Sequence, residues 1–273
     1  MSTLFTGISE LRTVSERGTL NDAAIIAQSG TIAWVGPASE APAADEKVDL
    51  GGRAVLPGWV DSHTHMVFDG DRSAEFEARI SGGSYEAGGI AVTMDATRQA
   101  GTDRLDKLVT DRVAAGRRGG TTTFETKTGY GLNTESEVEA AKVASRHVDD
   151  VTFLGAHLVP PGADAEEYLD EVVGPMLEGV APYVQWIDVF CERGAFNEEQ
   201  SRRVLEAGKK LGLGLRVHGN QLGEGPGVAL AVELGAASVD HVNYLSDEDV
   251  ELLANSDTCL LYTSPSPRDK RQS

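Results

Sequence analysis

The stretch Ala54-Val-Leu-Pro-Gly-Trp-Val-Asp-Ser-His-Thr-His65 decides how the rest of the chain is read. An apolar run rises to the Pro57-Gly58 break, resumes through Trp59 and Val60, and ends on His63-x-His65. Side chains two apart on an extended chain project to the same side. Both imidazoles are therefore expected to leave the last turn of a strand together, as nitrogen donors for a borderline metal. An arbitrary H-x-H is more often two polar loop residues; the buried-type strand before this one favours ligation.

Downstream of Val55 the pattern becomes strand, loop, helix, repeated. Strands are expected at Thr121–Lys127, Val151–His157, Trp186–Cys191, Leu213–His218, Ala237–His241 and Cys259–Tyr262. Between them Leu105, Leu108, Val109 and Val113 fit a helical face with Arg112 as its polar exception, ended by Gly119-Gly120. Gly82, Gly83, Gly88 and Gly89 predict a loop. Thr134-x-x-Glu137 reads as a capping box, Asn197 caps a helix closed by Gly212, and Ser246-x-x-Asp249 starts another. Strands alternating with helices imply βαβ units and a parallel sheet.

The expected class is α/β, a (β/α)8 barrel of the TIM type. A complete one takes ~250 residues, whereas residues 55–262 supply only about 200. The barrel is expected to be incomplete at its C-terminal end, with about six to seven of its eight units. Residues 1–54 read as a small, partial β-sandwich module of short strands, with a hairpin at Ser29-Gly30 and a loop over Gly36 to Glu46. Residues 263–273, polar, Pro-rich and basic in an acidic chain, predict an unstructured tail foreign to the rest, as a truncated reading frame would leave.

The 273 residues carry a formal net charge of -19 and a pI near 4.6. This argues against nucleic acid as a partner, since phosphate neutralisation needs clustered Lys and Arg. No run approaches the ~20 apolar residues of a membrane span and the N-terminus lacks a signal pattern. Two cysteines, Cys191 and Cys259, give no disulfide framework. A cytoplasmic protein without membrane or nucleic-acid partners is expected.

Five of the six histidines (63, 65, 157, 218 and 241) fall at the carboxyl ends of expected strands, where barrel sites are built. His147 falls on a helix end and is given no function. His63, His65 and His218 would supply three neutral ligands, leaving room for a carboxylate and a water. A cation held this way lowers the pKa of water to ~7. His241 reads equally as a proton carrier or as a structural hydrogen-bonding group. Arg72 is either a fork for a substrate carboxylate or a surface partner of Asp69 or Asp71. Tyr130, in Thr128-Gly-Tyr-Gly131, offers its hydroxyl to a ligand or packs the turn. Cys191 is a small buried hydrophobe.

With these motifs in place, the chain resembles the imidazolonepropionases, a histidine-degrading family of the amidohydrolase superfamily. The resemblance lies in Pro57 to His65, Val67-Phe-Asp-Gly-Asp-Arg72, Ser84-Tyr85, Lys127-Thr-Gly-Tyr-Gly-Leu132, Phe153-Leu-Gly-Ala-His157, Asp188-Val-Phe-Cys-Glu192, His218-Gly-Asn-Gln221 and Asp240-His241. It implies one zinc or iron ion, divalent or trivalent, on His63, His65 and His218. It also implies Arg72, Tyr130 and His157 on the substrate, Gln221 on its ring, and His241 assisting the attacking water. The implied reaction is hydrolysis of 4-imidazolone-5-propanoate, a small-molecule substrate, to N-formimidoyl-L-glutamate. A homodimer is left open. The family's fourth ligand is an aspartate on strand eight, which this chain does not reach, so weak activity or none is expected. The loop between Tyr85 and Gly88 is shorter than the family usually has. Two other readings are a deaminase of nitrogen heterocycles and an inactive metal-binding fragment.

Overall fold

The Ser29-Gly30 pair folds as its composition requires, with φ of 50° and 77°, the left-handed pair of a two-residue hairpin turn. It joins β2 (Thr19–Gln28) to β3 (Thr31–Pro37), and β2 pairs antiparallel with β1 (Ser2–Arg12). β4 (Glu46–Val55) returns parallel to β1, giving the order β3-β2-β1-β4. Ile8, Leu11 and Ala23 form its buried centre. These strands run to 11 residues and are not short. The described residues here make one four-stranded sheet, consistent with a small, partial β-module.

This computed structural model describes residues 1–71, 73 and 89–262. Arg72, the Ser84-Tyr85 segment, Gly82, Gly83, Gly88 and the tail 263–273 lie outside the described residues. Packing divides the chain into two compact units, the first Met1–Trp59 and the second beginning at Val60.

The apolar run from Ala54 to Val60 belongs to two strands, not one. β4 ends at Val55, paired with Leu11, and β5 is only Trp59–Asp61 and belongs to the second sheet. Pro57 has no N–H to give to a ladder, so Leu56-Pro-Gly58 is where the chain leaves one sheet for the other.

Among the described residues the second sheet has seven strands in the order β11-β10-β9-β8-β7-β6-β5. After β5 come β6 (Thr121–Lys127), β7 (Asp150–Ala156), β8 (Trp186–Cys191), β9 (Gly214–Gly219), β10 (Ser238–His241) and β11 (Cys259–Tyr262). The pairs from β6–β7 to β10–β11 are all parallel. β7 and β8 are buried along almost their whole length, as strands covered on both faces must be.

The helices follow from local signals. α1 (Gly89–Ala100) begins at Gly89, where a loop was expected. α2 (Thr102–Arg118) buries Leu105, Val109 and Val113, with Asp103 in its first turn and Arg117 and Arg118 in its last, complementing the helix dipole. α3 (Thr134–Ala144) is capped by Asn133, whose side chain accepts the Ser136 N–H. Thr134 is therefore not the cap, and Glu137 is engaged elsewhere.

α4 (Ala165–Glu171) runs into α5 (Leu177–Val180) across a kink at Gly174-Pro175, a stretch the sequence reading left unassigned. α6 (Glu198–Lys210) carries the Asn197 cap, reciprocated by Gln200, and Gly212 follows it at φ 80°. α7 (Gly227–Leu234) ends on left-handed Gly235, and α8 (Asp247–Ala254) opens on the Ser246–Asp249 box. Among the described residues no helix is long and apolar enough to cross a membrane.

Candidate metal centre

Alternation along the strands brings charged residues into the middle of the sheet's inner face. Glu125 and Lys127 share one side of β6, Arg216 and His218 one side of β9, and Asp240 stands beside His218 in register. All five are buried, as is Asp188 on β8. Arg216 Nη1 donates to Glu125 Oε1 at 2.9 Å and to Thr152 Oγ1 at 2.6 Å. Lys127 Nζ donates to Glu125 Oε1 at 2.9 Å and lies 3.3 Å from Asp188 and 3.5 Å from Asp240. Burial opposes the lysine's charge, but Asp188, Glu125 and Asp240 outweigh it and hold its pKa above the usual lysine value.

Above this layer the imidazoles gather. His63 and His65 follow β5 by two and four residues, and the residue between them is pinned to β6. Thr64 N–H donates to Glu125 Oε2 at 3.1 Å, its hydroxyl to the Glu125 carbonyl at 2.6 Å, and its own carbonyl accepts the Lys127 N–H at 2.9 Å. The His63 ring lies 5.3 Å from His65, 4.8 Å from His218 and 5.0 Å from His241, and His218 lies 4.9 Å from His241. His63 Nδ1 is 2.8 Å from Asp240 Oδ2.

Asp240 and His241 are adjacent, and on a regular strand they would face opposite ways. His241 instead has φ of 76°, with Val242 at 42°, which turns the ring onto the same rim. Such backbone costs ~1–3 kcal/mol and persists only where its surroundings hold it.

Tyr130 reaches the rim through a clamped turn. The buried Glu137 carboxylate accepts the N–H groups of Gly129, Gly131 and Leu132 at 2.9, 2.7 and 2.9 Å, while Arg98 donates to the carbonyls of Gly131 and Leu132. Burial raises the Glu137 pKa against those hydrogen bonds. Tyr130 then stands 5.7 Å from His65 and 5.4 Å from His157, ring to ring. His157 donates Nδ1–H to the Gly129 carbonyl at 2.8 Å and stacks on His65 at 5.7 Å.

Beside Tyr130 an open cavity of about 510 Å3 is lined by Phe68, Gly70, Asp71, Ser73, Thr93 and Arg112. Arg112 is tied to the carbonyls of Met66 and Phe68 at 2.6 and 2.7 Å, which explains a cation on the inner face of α2. Gln221 follows β9, and its N–H and that of Leu222 both donate to Glu192 Oε2.

No family model matches the chain. It is 65% identical over 257 residues to the imidazolonepropionase of Arthrobacter sp. (strain FB24), covering 94% of this chain and 64% of that protein. With that of Streptomyces coelicolor it shares 53% identity over 266 residues, covering 94% of this chain and 68% of the relative. The chain belongs to the imidazolonepropionase family. It spans just under two thirds of the length of the first curated imidazolonepropionases it matches. Among solved structures, A. niger ochratoxinase superposes with a TM-score of 0.65 at 18% identity, covering 95% of this chain and 64% of that one. A Xaa-Pro dipeptidase gives 0.64 at 16% identity, covering 95% and 66%. These share the fold.

The site fits a divalent ion at His63, His65 and His218, which offer ligand atoms within 4.8 Å of one another. His65 Nδ1 and both ring nitrogens of His218 are buried without a hydrogen-bond partner. His218 Nδ1 is 2.9 Å from Asp188 Oδ2 but off the line a hydrogen bond requires. Burial, and then the neighbouring imidazoles, hold the pKa values of His65 and His218 well below the usual histidine value. Neutral rings with lone pairs facing one another are what a metal needs. The sequence reading missed the charged layer beneath. Its signal was present, as Glu125-x-Lys127 and Arg216-x-His218 place charges at alternate positions of strands otherwise composed as buried.

Proposed function

We propose that the protein hydrolyses the cyclic amide of 4-imidazolone-5-propanoate to N-formimidoyl-L-glutamate, using one zinc or iron ion held by His63, His65 and His218. One observation carries this reading: buried imidazole nitrogens without hydrogen bonds converge beside Tyr130 and His157 at one strand-end rim. The family's curated members bear the name of that activity. One fold neighbour, an adenosine deaminase from Xanthomonas campestris, was solved with bound zinc. The seven-stranded sheet is read as the greater part of a (β/α)8 barrel, and the working compartment as the cytoplasm.

When bound, the ion acidifies water and polarises the ring carbonyl. The chain's own residues do the rest. His241, whose pKa is lowered to about 4 by burial and by His63, is neutral at physiological pH. It is poised to take a proton from the attacking water and pass it to the leaving ring nitrogen. The Gly129 carbonyl fixes His157 with its proton on Nδ1, so Nε2 can accept a substrate N–H. Tyr130 supplies its hydroxyl, Gln221 a contact to the imidazolone ring, and Arg72 a two-pronged ion pair with the propionate carboxylate. The ring C–N bond and one O–H bond of water are broken, and a C–O bond and an N–H bond on the leaving nitrogen are formed.

The test is turnover of 4-imidazolone-5-propanoate by the purified, zinc-loaded chain, with product identified by mass. Arg72→Ala and Tyr130→Phe are expected to raise KM at least tenfold. Turnover, however slow, that yields a product of another mass, or that is unchanged in Arg72→Ala and Tyr130→Phe, would overturn the reading.

A further inference from the structure

Beneath the imidazoles lies a second group of donors. Asp188, His218 and Asp240, all buried, offer atoms within 4.8 Å of one another. Two carboxylates beside an imidazole suit a divalent cation. A side chain of the protein itself takes that place. Lys127 Nζ lies 3.3 Å from Asp188 Oδ2 and 3.5 Å from Asp240 Oδ2, at 0% exposure for all three residues. The same two oxygens face outward to the metal-binding rings: Asp240 Oδ2 meets His63 Nδ1 at 2.8 Å, and Asp188 Oδ2 lies 2.9 Å from His218 Nδ1.

We propose that Lys127 is a positioning residue acting as a built-in cation, occupying the place of a second metal between Asp188 and Asp240 and holding both carboxylates against His218 and His63.

Three features support this. A buried carboxylate without a compensating charge is costly; Glu125, to which Lys127 also donates, has Arg216 besides, whereas among the described residues Lys127 is the one lysine or arginine that Asp188 and Asp240 meet. The lysine's main chain is bonded to the Thr64 carbonyl, between the two histidines of the H-x-H pair, so its place is fixed by the segment it serves. Its charge is also a fixed one. It neutralises the carboxylates whether or not an ion occupies the triad, so the rings stay oriented in the metal-free protein.

The inference rests on the metal-centred reading above, and cobalt titration of the chelator-stripped full chain separates the two. Wild type is expected to bind one Co2+, read by calorimetry, visible absorption and EPR. Binding none sinks the metal-centred reading, whereas binding two magnetically coupled ions sinks the role of Lys127 alone. This arm needs no variant to fold.

Lys127→Met keeps the volume and removes the charge. It is expected to weaken the one ion at least tenfold, the usual effect of losing a group that supports a ligand, and to alter its absorption spectrum. Lys127→Ala, which also opens the space, is expected to admit a second ion at higher cobalt. A folded Lys127→Met with affinity within twofold of wild type and an unchanged spectrum would overturn the proposal, as would a folded Lys127→Ala that binds only one ion.

Discussion

Asp240 Oδ2 accepts the Nδ1 proton of His63 at 2.8 Å, although 177 residues separate them. The His63 hydrogen bond and Lys127 together outweigh burial and keep the aspartate's pKa below its ordinary value. A carboxylate that receives one ring N–H leaves the other nitrogen with its lone pair, and so chooses both tautomer and direction for a ligand.

Asp240→Ala removes that choice. Zinc affinity, measured by competition with a chromophoric chelator, is expected to fall 10–100-fold. The oxygen is lost between two partners, so a decrease in stability should accompany it. An unchanged zinc affinity would mean that His63 is oriented by packing alone.

Glu137 offers a second handle, on the substrate side. Glu137→Gln keeps the shape but puts an NH2 where the carboxylate accepts N–H groups from Gly129, Gly131 or Leu132. A buried donor facing a donor costs ~1–3 kcal/mol, measurable by urea unfolding. Tyr130 sits in the turn those groups hold, so KM should rise with little change in zinc affinity. The opposite pattern, zinc lost and KM kept, would place the turn's role at the metal.

The placement of the imidazoles was legible from sequence because it rests on period: H-x-H after a strand, and single histidines where apolar runs end. Where Glu137 goes was not legible. Its position three residues after Thr134 fits a capping box, but Asn133 is one residue nearer the turn and takes the cap, freeing the carboxylate for the Gly129–Leu132 amides. Nor was the division of Ala54–His65 between two sheets, because hydrophobicity does not say which neighbour a strand will find. Lys127 was hidden for a different reason. A strand-end lysine reads as solvated unless the carboxylates of Asp188 and Asp240, from two other strands, are known to join Glu125 of its own strand around it.

Acid should destabilise the metal-free protein through its histidines. Unfolded histidine titrates near 6.5, whereas folded His241 titrates at about 4 and His65 and His218 well below the usual value. Between those values the unfolded chain binds more protons, so stability rises with pH. The contribution is complete above pH ~6.5 and is lost as pH falls through about 4 for His241. The share of His241 alone is on the order of 3 kcal/mol. Urea unfolding from pH 7 to 4 measures it, and His241→Phe should flatten the slope over that interval. Added zinc should raise stability more at pH 7 than at pH 5, because protons and metal compete for the same nitrogens.

Gly129 tests how tightly the rim is built. Its φ is 105°, and a Cβ there would stand 2.5 Å from the Leu154 carbonyl and 3.2 Å from His157 Nδ1. The first contact is with backbone of β7, which cannot yield cheaply, and the backbone angle disfavours any L side chain. Gly129→Ala is therefore expected to cost ~2–3 kcal/mol in urea unfolding, more than its loss of chain entropy could return. The local consequence is more telling. To make room the turn must move away from His157, lengthening the bond that fixes its tautomer, while His63, His65 and His218 are held by β6, β8, β9 and β10 and stay in place. The variant should then bind zinc as wild type does and lose substrate affinity. Equal losses of both would show that the imidazole rim and the Gly129–Leu132 turn form one cooperative unit rather than two.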